Sequence, residues 1–462
     1  MNKITISANE IICVPGFKLI KGDVNTLFDN VVIDSRIVKE GSLFIAIKGE
    51  NFDGHNFINS VDKCGAVGVI ISENELEKAT NFSGVVISYS DTTLALGEIA
   101  KLWRRKINAK IIGITGSNGK TTTKEFLSIL LSEKYKVQKT EYNNNNHIGV
   151  PLTILSTDKT IDYLVLELGT NHFGEIAYTS QIAIPDFALI TLIGDSHLEY
   201  LIDRNGVLNE KYALFEVTLK NNGLIFVNND DKLLATKCYG IENKITFGFE
   251  SNADIKGEIL GVDDYGRTKL KINFNDREIN TTLPVYGVTS AKNVLSAVVI
   301  AIKLGLTDQE IVSGISKLGF VKGRLNVSEL KNTLIIDDTY NANPESMKAA
   351  IELVNSIKVK KNKIVVLGDM FELGEYTQQK HIELAKTIAN SDINTILLVG
   401  EATKVTNTEL LKLGFKSEHF EDRKTLENKL LHINIEDSLI LLKGSRGMKM
   451  EQFIPIITER AS

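Results

Sequence analysis

Short apolar runs alternate with amphipathic stretches along most of this chain. From residue 111 the runs are IIGIT (111–115), YLVLEL (163–168), FALITLI (187–193) and LIFVN (224–228). They are bounded by polar residues and read as strands. TTKEFLSILLSE (122–133) carries its apolar residues at helical spacing and predicts a helix after the first strand. Such alternation predicts a mostly parallel sheet with helices on both faces. The pattern restarts at TLIIDD (333–338) and continues through KIVVLGD (363–369), TILLVG (395–400) and SLILLKG (438–444), with helical stretches at 345–357 and 378–390. That is a second α/β unit. Between the two units, residues 250–285 alternate around Asp-Asp-Tyr-Gly (263–266) and predict hairpins. The first hundred or so residues predict a third block of short strands and loops, with the helical pattern 94–107 leading out of it. Several domains also suit the length, because 462 residues exceed the roughly 250–300 that one core holds.

Composition narrows the class only a little. With 43% hydrophobic and 24% charged residues the chain is an ordinary globular protein, and a net charge of −5 gives it no general attraction to nucleic acid or anionic membranes. Cys13, Cys64 and Cys238 are far apart and form no CxxC pair, so neither a disulfide framework nor a zinc site follows. The N-terminal stretch MNKITISANEIICVPGF lacks the apolar core and cleavage site of a signal peptide. No apolar run approaches the roughly 18–20 residues that span a bilayer. The expectation is a cytoplasmic protein without membrane insertion or a nucleic-acid partner.

The first specific chemistry lies at GITGSNGKTTTKEF (113–126), between a predicted strand and a predicted helix. Gly116 and Gly119 allow a tight turn in which the N–H groups of Ser117, Asn118 and their neighbours point at phosphate oxygens. Lys120 can reach the terminal phosphates, and the Thr121 hydroxyl can ligate Mg²⁺ beside Thr122. The helix N-terminus adds a field that favours anions. The match to G-x-x-x-x-G-K-[ST] is not strict: Ile114 occupies the first glycine position and Gly113 comes one residue early.

The form G-x-T-G-[ST]-N-G-K-T-[ST] resembles the loop of the Mur ligases and their relatives, the folylpolyglutamate synthases. The resemblance runs through the whole chain, in order: DSR (34–36), GSLFIAIKGENFDGHNFI (41–58), NNHIGVP (145–151), LELGTNHFGEI (166–176), HLEY (197–200), GRLN (323–326), DDTYNANPESM (337–347), LGDMFELG (367–374) and KGSRGMKME (443–451). Within the family, NNHIGVP, DDTYNANP and LGDMFELG resemble segments of the members that add D-alanyl-D-alanine to UDP-N-acetylmuramoyl-tripeptide. The Asp-Asn-Pro-Arg motif of the preceding, diamino-acid-adding step is absent. DSR and DGH argue against the folate branch.

The resemblance implies three α/β domains: a small N-terminal UDP-binding domain (1–107), a central P-loop parallel-sheet ATPase domain (108–320) and a C-terminal Rossmann-like domain (321–462). It implies an ATP-dependent carbon–nitrogen ligase working through an acyl phosphate, with ATP and Mg²⁺ as cofactors and a monomer as its working form. Lys120 would neutralise phosphate. Thr121 would hold a first Mg²⁺, Glu167 would be a metal ligand, and His197 would bind a second Mg²⁺ that Lys211, as a carbamate, would help to place. Read without the family, Glu167 is a strand-end carboxylate, His197 is as readily structural as functional, and Lys211 is a surface lysine on a helix. Arg324 would contact ATP phosphate, and Asp338 the ribose. Asn293 keeps its place in the family's His-Asn-x-x-Asn segment, but Ser290 replaces the first asparagine and lacks its two-sided amide. Ser35, Arg36, Lys48, Asp53 and His55 match segments that hold UDP, and Asn145 and Asn146 belong to the substrate-binding set. Asn341, Asn343, Ser445 and Arg446 are candidates for the dipeptide. The rival readings are another Mur step and, from a different class, a non-catalytic UDP-sugar sensor; retention of the metal and phosphate groups argues against the sensor.

Overall fold

The structure, a computed structural model, describes residues 4–250 and 252–461; the first three residues of the N-terminal stretch read above lie outside them. It is a three-domain α/β protein built on three large sheets. The N-terminal sheet has five strands in the spatial order Lys18–Lys21, Val85–Tyr89, Ala66–Ser72, Ser42–Ile45, Asn30–Val32, all parallel except the first. The central sheet has nine. Six parallel strands run from Val137–Lys139 at one edge through Tyr163–Glu167, Lys110–Thr115, Phe187–Ile190, Leu224–Asn228 and Lys244–Gly248. The hairpin strands Ile255–Val262, Arg267–Phe274 and Arg277–Tyr286 continue the same sheet rather than forming a separate unit. The C-terminal sheet has six strands, of which only Asn326–Leu330 is antiparallel.

The central strands read as unbroken apolar runs because both faces are covered. Ile111, Leu164 and Leu166 point into one core, while Ile112, Ile114 and Val165 point into the other. The C-terminal sheet repeats this, with Leu439 and Leu441 on one side and Ile440 and Leu442 on the other. The short strands Val137–Lys139, Lys244–Gly248 and Glu418–Phe420 escape a pattern reading because they are brief and rich in polar residues. FALITLI reads as a strand to residue 193, yet the strand ends at Ile190. There the chain leaves the sheet to back the phosphate loop: Leu192 O accepts the Ser117 N–H at 2.9 Å, and Thr191 Oγ1 bonds Asn118 O.

Helix Thr92–Arg104 joins the first two domains. Trp103 Nε1 donates to Thr157 O at 3.1 Å, and the Arg104 guanidinium reaches Ala183 O, Ile184 O and the Asp186 carboxylate. Among the described residues, no helix is long and apolar enough to cross a membrane.

In the C-terminal domain, His381 is fully buried behind the LGDMFELG segment. Its Nδ1 lies 2.8 Å from Thr377 O, and its Nε2 accepts the Met370 N–H at 3.3 Å, which requires a neutral ring protonated on Nδ1. Burial holds its pKa below the usual 6.5, against the opposing pull of the Thr377 carbonyl and Asp369. As pH falls below about 6.5 the unfolded chain therefore takes up a proton that the folded chain refuses, and stability is lost. Calorimetry between pH 7 and 5 should show the melting temperature falling. His381→Gln should be less stable at pH 7 but lose less over that interval.

Candidate active site

Two glycines give the phosphate loop its shape. Gly116 (φ +147°) and Gly119 (φ +82°) both sit in the region that favours glycine. A Cβ on Gly116 would lie 1.9 Å from Thr191 Oγ1, and one on Gly119 would lie 2.3 Å from Asn293 Oδ1. Helix Lys120–Leu131 starts directly after the loop. Lys120 Nζ donates to Gly116 O at 2.7 Å, curling back over the loop. Burial pushes its pKa down to about 8; Glu167 opposes the shift, and the nearby Arg324 charge adds to it.

Glu167 ends the strand paired beside Lys110–Thr115, at the carboxyl edge where ligands collect in open α/β sheets. It is buried, and its Oε1 accepts from Thr121 Oγ1 at 3.2 Å and from Asn145 Nδ2 at 2.9 Å. Its Oε2 is buried without a hydrogen-bond partner, with the buried Lys124 Nζ 3.9 Å away. Asn145 thus belongs with Glu167. Asn146, in contrast, uses its Oδ1 to accept from Ile148 N and Gly149 N at the start of the next helix. Lys211 corrects the surface-lysine reading: it lies on helix Arg204–Lys220 with 0% exposure, and its ammonium has no hydrogen-bond acceptor. Burial, with the Lys120 charge, holds its pKa well below 10.5, while Glu210 opposes the shift. His197, on the loop after Phe187–Ile190, faces the same two lysines; burial and their charges lower its pKa, and Glu372 opposes them.

These groups fit a divalent cation. The orphaned Glu167 oxygen and the Thr121 hydroxyl are hard oxygen donors, and an acceptor-free lysine is a group that conversion to a carbamate anion would relieve. Among the described residues no three His, Cys, Asp or Glu side chains cluster for a metal.

The C-terminal domain closes the site from the other side. A cavity of about 290 Å³ is lined by Asn118, Gly119, Thr122, Ser290 and Asn293 from the central domain and by Arg324 and Asp338 from the C-terminal one. Tyr286 and Phe320 stack in its wall, with ring centroids 5.7 Å apart. The Arg324 guanidinium lies 4.0 Å over the Tyr340 ring, and Arg446 lies 5.7 Å from the same ring. Asp338 Oδ1 accepts the Leu325 N–H at 3.1 Å, and its Oδ2 is 2.5 Å from the buried Lys443 Nζ. Lys443 also donates to Asn341 O at 2.9 Å. Asn343 and Asn118 exchange two side-chain bonds across the interface, at 3.0 and 3.1 Å. Glu345 accepts from Asp195 N (2.9 Å) and Arg204 (2.7 Å), and Lys380 pairs with Asp195 (2.8 Å).

The N-terminal candidates lie on loops at the carboxyl ends of their own parallel sheet, on another domain. Ser35 and Arg36 form a short turn capped by Asp34, whose carboxylate grips the exposed Arg36. Lys48 bridges Asp53 through the backbone. Two of the expected ligand residues have their polar atoms engaged within the protein. His55 is 2% exposed, with Nδ1 at 2.6 Å from Asp53 and Nε2 accepting from Ser72 N, so its ring is spent on shaping the loop. Ser445 is likewise 2% exposed and bonds Phe371 N and Ala342 O. Arg446 stays exposed, paired with Glu451, and its N–H donates to Asn341 Oδ1. Glu372, Lys443 and Tyr340 were not singled out from sequence. All three lie inside segments recognised there, but only the fold shows what they face.

A phosphate loop on a parallel sheet, closed by a second α/β domain, defines a nucleotide-dependent enzyme of the P-loop type. The family model for the Mur ligase middle domain matches residues 114–301; "Mur ligase, glutamate ligase domain" matches 323–446, and "Mur ligase family, catalytic domain" matches 28–104. The chain belongs to the Mur ligase family. It is 34% identical, over 94% of each chain, to the UDP-N-acetylmuramoyl-tripeptide–D-alanyl-D-alanine ligase of Bacillus subtilis. It superposes on MurF from Acinetobacter baumannii with a TM-score of 0.89 and 31% identity, over 99% of this chain and 100% of that one. MurF from Thermotoga maritima in complex with ADP gives 0.82 and 28%, over 94% and 97%.

Two outcomes follow from this geometry. Gly116→Ala should weaken ADP binding by about tenfold or more in titration calorimetry, since a clash of this kind costs on the order of 1–3 kcal/mol. Lys443→Met leaves Asp338 as a buried unpaired charge and should cost about 3–5 kcal/mol in urea denaturation. Adding Asp338→Asn to it should recover part of that loss.

Proposed function

We propose that this chain joins D-alanyl-D-alanine to UDP-N-acetylmuramoyl-tripeptide at the expense of ATP, in the synthesis of peptidoglycan precursors. It is an ATP-dependent ligase of the acid–D-amino-acid type. The observation that carries the reading is the convergence of Lys120, Lys211, His197 and Glu167 beside the phosphate loop, with a buried carboxylate oxygen and a buried ammonium left without a hydrogen bond. A sensor that only held a nucleotide sugar would have no use for such a set.

In the first step the tripeptide carboxylate attacks the γ-phosphate and forms an acyl phosphate. The dipeptide amine then attacks the acyl carbon, and phosphate leaves from the tetrahedral adduct. A carboxylate has no good leaving group of its own, so the protein's task is to bring two anions together and hold them in line. Lys120 and Arg324 place positive charge on the phosphates, and Gly116–Thr122 cradle them through backbone N–H groups. Divalent cations would supply further charge to screen the two anions from each other, with Thr121 and Glu167 as ligands and His197 holding the second. Lys211, buried and held towards its neutral form, is suited to capture CO₂ as a carbamate and so present an anion to that cation. Asp338 has lone pairs for the ribose, and the Tyr286–Phe320 wall provides the apolar surface that Ser290, in place of an amide, does not. Ser35, Arg36 and Lys48 are proposed to hold the UDP diphosphate; Arg446 and Asn341 are proposed for the dipeptide, whose carboxylate an arginine suits. We also place the domain limits at 1–107, 108–320 and 321–462, in keeping with the three sheets. The protein is proposed to act as a cytoplasmic monomer.

Phosphate release with ATP, Mg²⁺ and bicarbonate is expected with UDP-N-acetylmuramoyl-tripeptide plus D-alanyl-D-alanine. None is expected with the UDP-dipeptide plus lysine or diaminopimelate. Turnover only with the second pair would reassign the step, and silence with both would favour the sensor. Lys211→Ala should lose at least about a hundredfold in rate, as expected for a lost charge-stabilising group, with partial rescue by formate or acetate. Full activity of that variant without rescue would end the carbamate reading.

A further inference from the structure

We propose that Glu372 is a positioning residue for His197, carried in by the C-terminal domain, so that the cation site is complete only when that domain is docked. The inference rests on the reading of His197 as a cation ligand.

Glu372 lies at the tip of the segment 369–374, which follows strand Asn362–Gly368. The segment is braced from behind at successive residues. Asp369 accepts the Thr403 N–H at 2.8 Å, the Met370 N–H goes to His381, the Phe371 N–H goes to Ser445 Oγ at 2.8 Å, and the Leu373 side chain is buried. Glu372 itself is aimed outward at the central domain, with a left-handed backbone (φ +62°). Its carbonyl accepts the Glu199 N–H at 3.1 Å, and its Oε2 lies 2.6 Å from His197 Nδ1. Gly374 (φ +53°) brings the chain so close that a Cβ there would sit 3.2 Å from Glu199 Cα. His197 is left-handed as well (φ +55°). Two non-glycine residues in this sparsely populated region meet across one interface. Conformations of this kind persist only where the surroundings hold them, and they gather at functional sites.

The charges give the contact a purpose. His197 looks onto Lys120 and Lys211, and Glu372 is the carboxylate that answers them. The two atoms are at hydrogen-bonding distance, although the Nδ1 direction is not well aligned with the carboxylate. A carboxylate at that nitrogen favours a proton on Nδ1 and leaves Nε2 free, the form in which an imidazole donates to a cation. This partner comes from a different domain than Thr121, Glu167 and Lys211. Metal affinity and docking are then coupled, and by linkage each must strengthen the other.

Mn²⁺ is a suitable probe, counted by the electron-spin-resonance signal of the free ion in the full-length protein with ADP, where no turnover occurs. Glu372→Gln keeps the shape and removes the charge. It should weaken Mn²⁺ binding by about tenfold to a hundredfold, the range for loss of an outer-shell carboxylate, while ADP affinity without metal is unchanged. Glu372→Asp should fall between the two. In a His197→Ala background, Glu372→Gln should add nothing. If His197→Ala weakens Mn²⁺ binding and Glu372→Gln does not, the positioning role is overturned while the ligand reading stands. If His197→Ala itself leaves Mn²⁺ affinity intact, the ligand reading fails and takes the inference with it.

Discussion

The structure depends on holding like charges together in a place that water barely reaches. Lys120 and Lys211 both have ammonium groups pushed towards neutrality by burial; the Lys120 charge adds to the shift of Lys211, and Arg324 adds to that of Lys120 from across the interface. Close by, Glu167 leaves one buried oxygen without a hydrogen bond. Without a ligand such a set is costly, because each desolvated charge lacks full compensation. A polyphosphate, with the cation it brings, is what would satisfy it. The large two-sided cores of the central and C-terminal sheets are the stable ground on which that local cost is tolerated.

The second domain is part of the same arrangement. Asn343 caps its own helix and also bonds Asn118 of the phosphate loop, so one side chain serves fold and interface together. Asp338 is gripped by Lys443, which also holds the carbonyl of Asn341. A movement of the strand that bears Lys443 would therefore reach both the nucleotide pocket and the segment proposed for the acceptor. Glu372 makes the same kind of link on the cation side. Chemistry distributed in this way over two bodies links catalysis to their docking.

The alternation of apolar runs was enough to place the principal strands of the central and C-terminal sheets, since strands covered on both faces must be apolar throughout. It overran at 191–193, where the residues are as apolar as a strand but serve as the back wall of the phosphate loop. It missed short strands such as Val137–Lys139 and Glu418–Phe420, whose polar residues blur the period. The phosphate loop was legible because its function needs contiguous residues: two glycines, a lysine and a threonine in one turn. Glu167 was legible as a strand-end carboxylate. Lys211 was not, for a lysine midway along an amphipathic helix gives no sign of which way it points, and only packing shows it fully buried.

What the sequence by itself determined, then, is whatever lies within one stretch of chain: the strands, the phosphate-binding turn, and the family to which the ordered motifs belong. Tertiary structure decided the rest. It decided that His55 bonds Asp53 and Ser72, that Ser445 ties together Phe371 and Ala342, that Asn145 serves Glu167, and that Glu372 and His197 meet although 175 residues separate them (372 − 197). The physical reason is that a side chain's role depends on its solvent access and its partners. Those are set where separate strands end side by side, not by the residues that flank it in the chain.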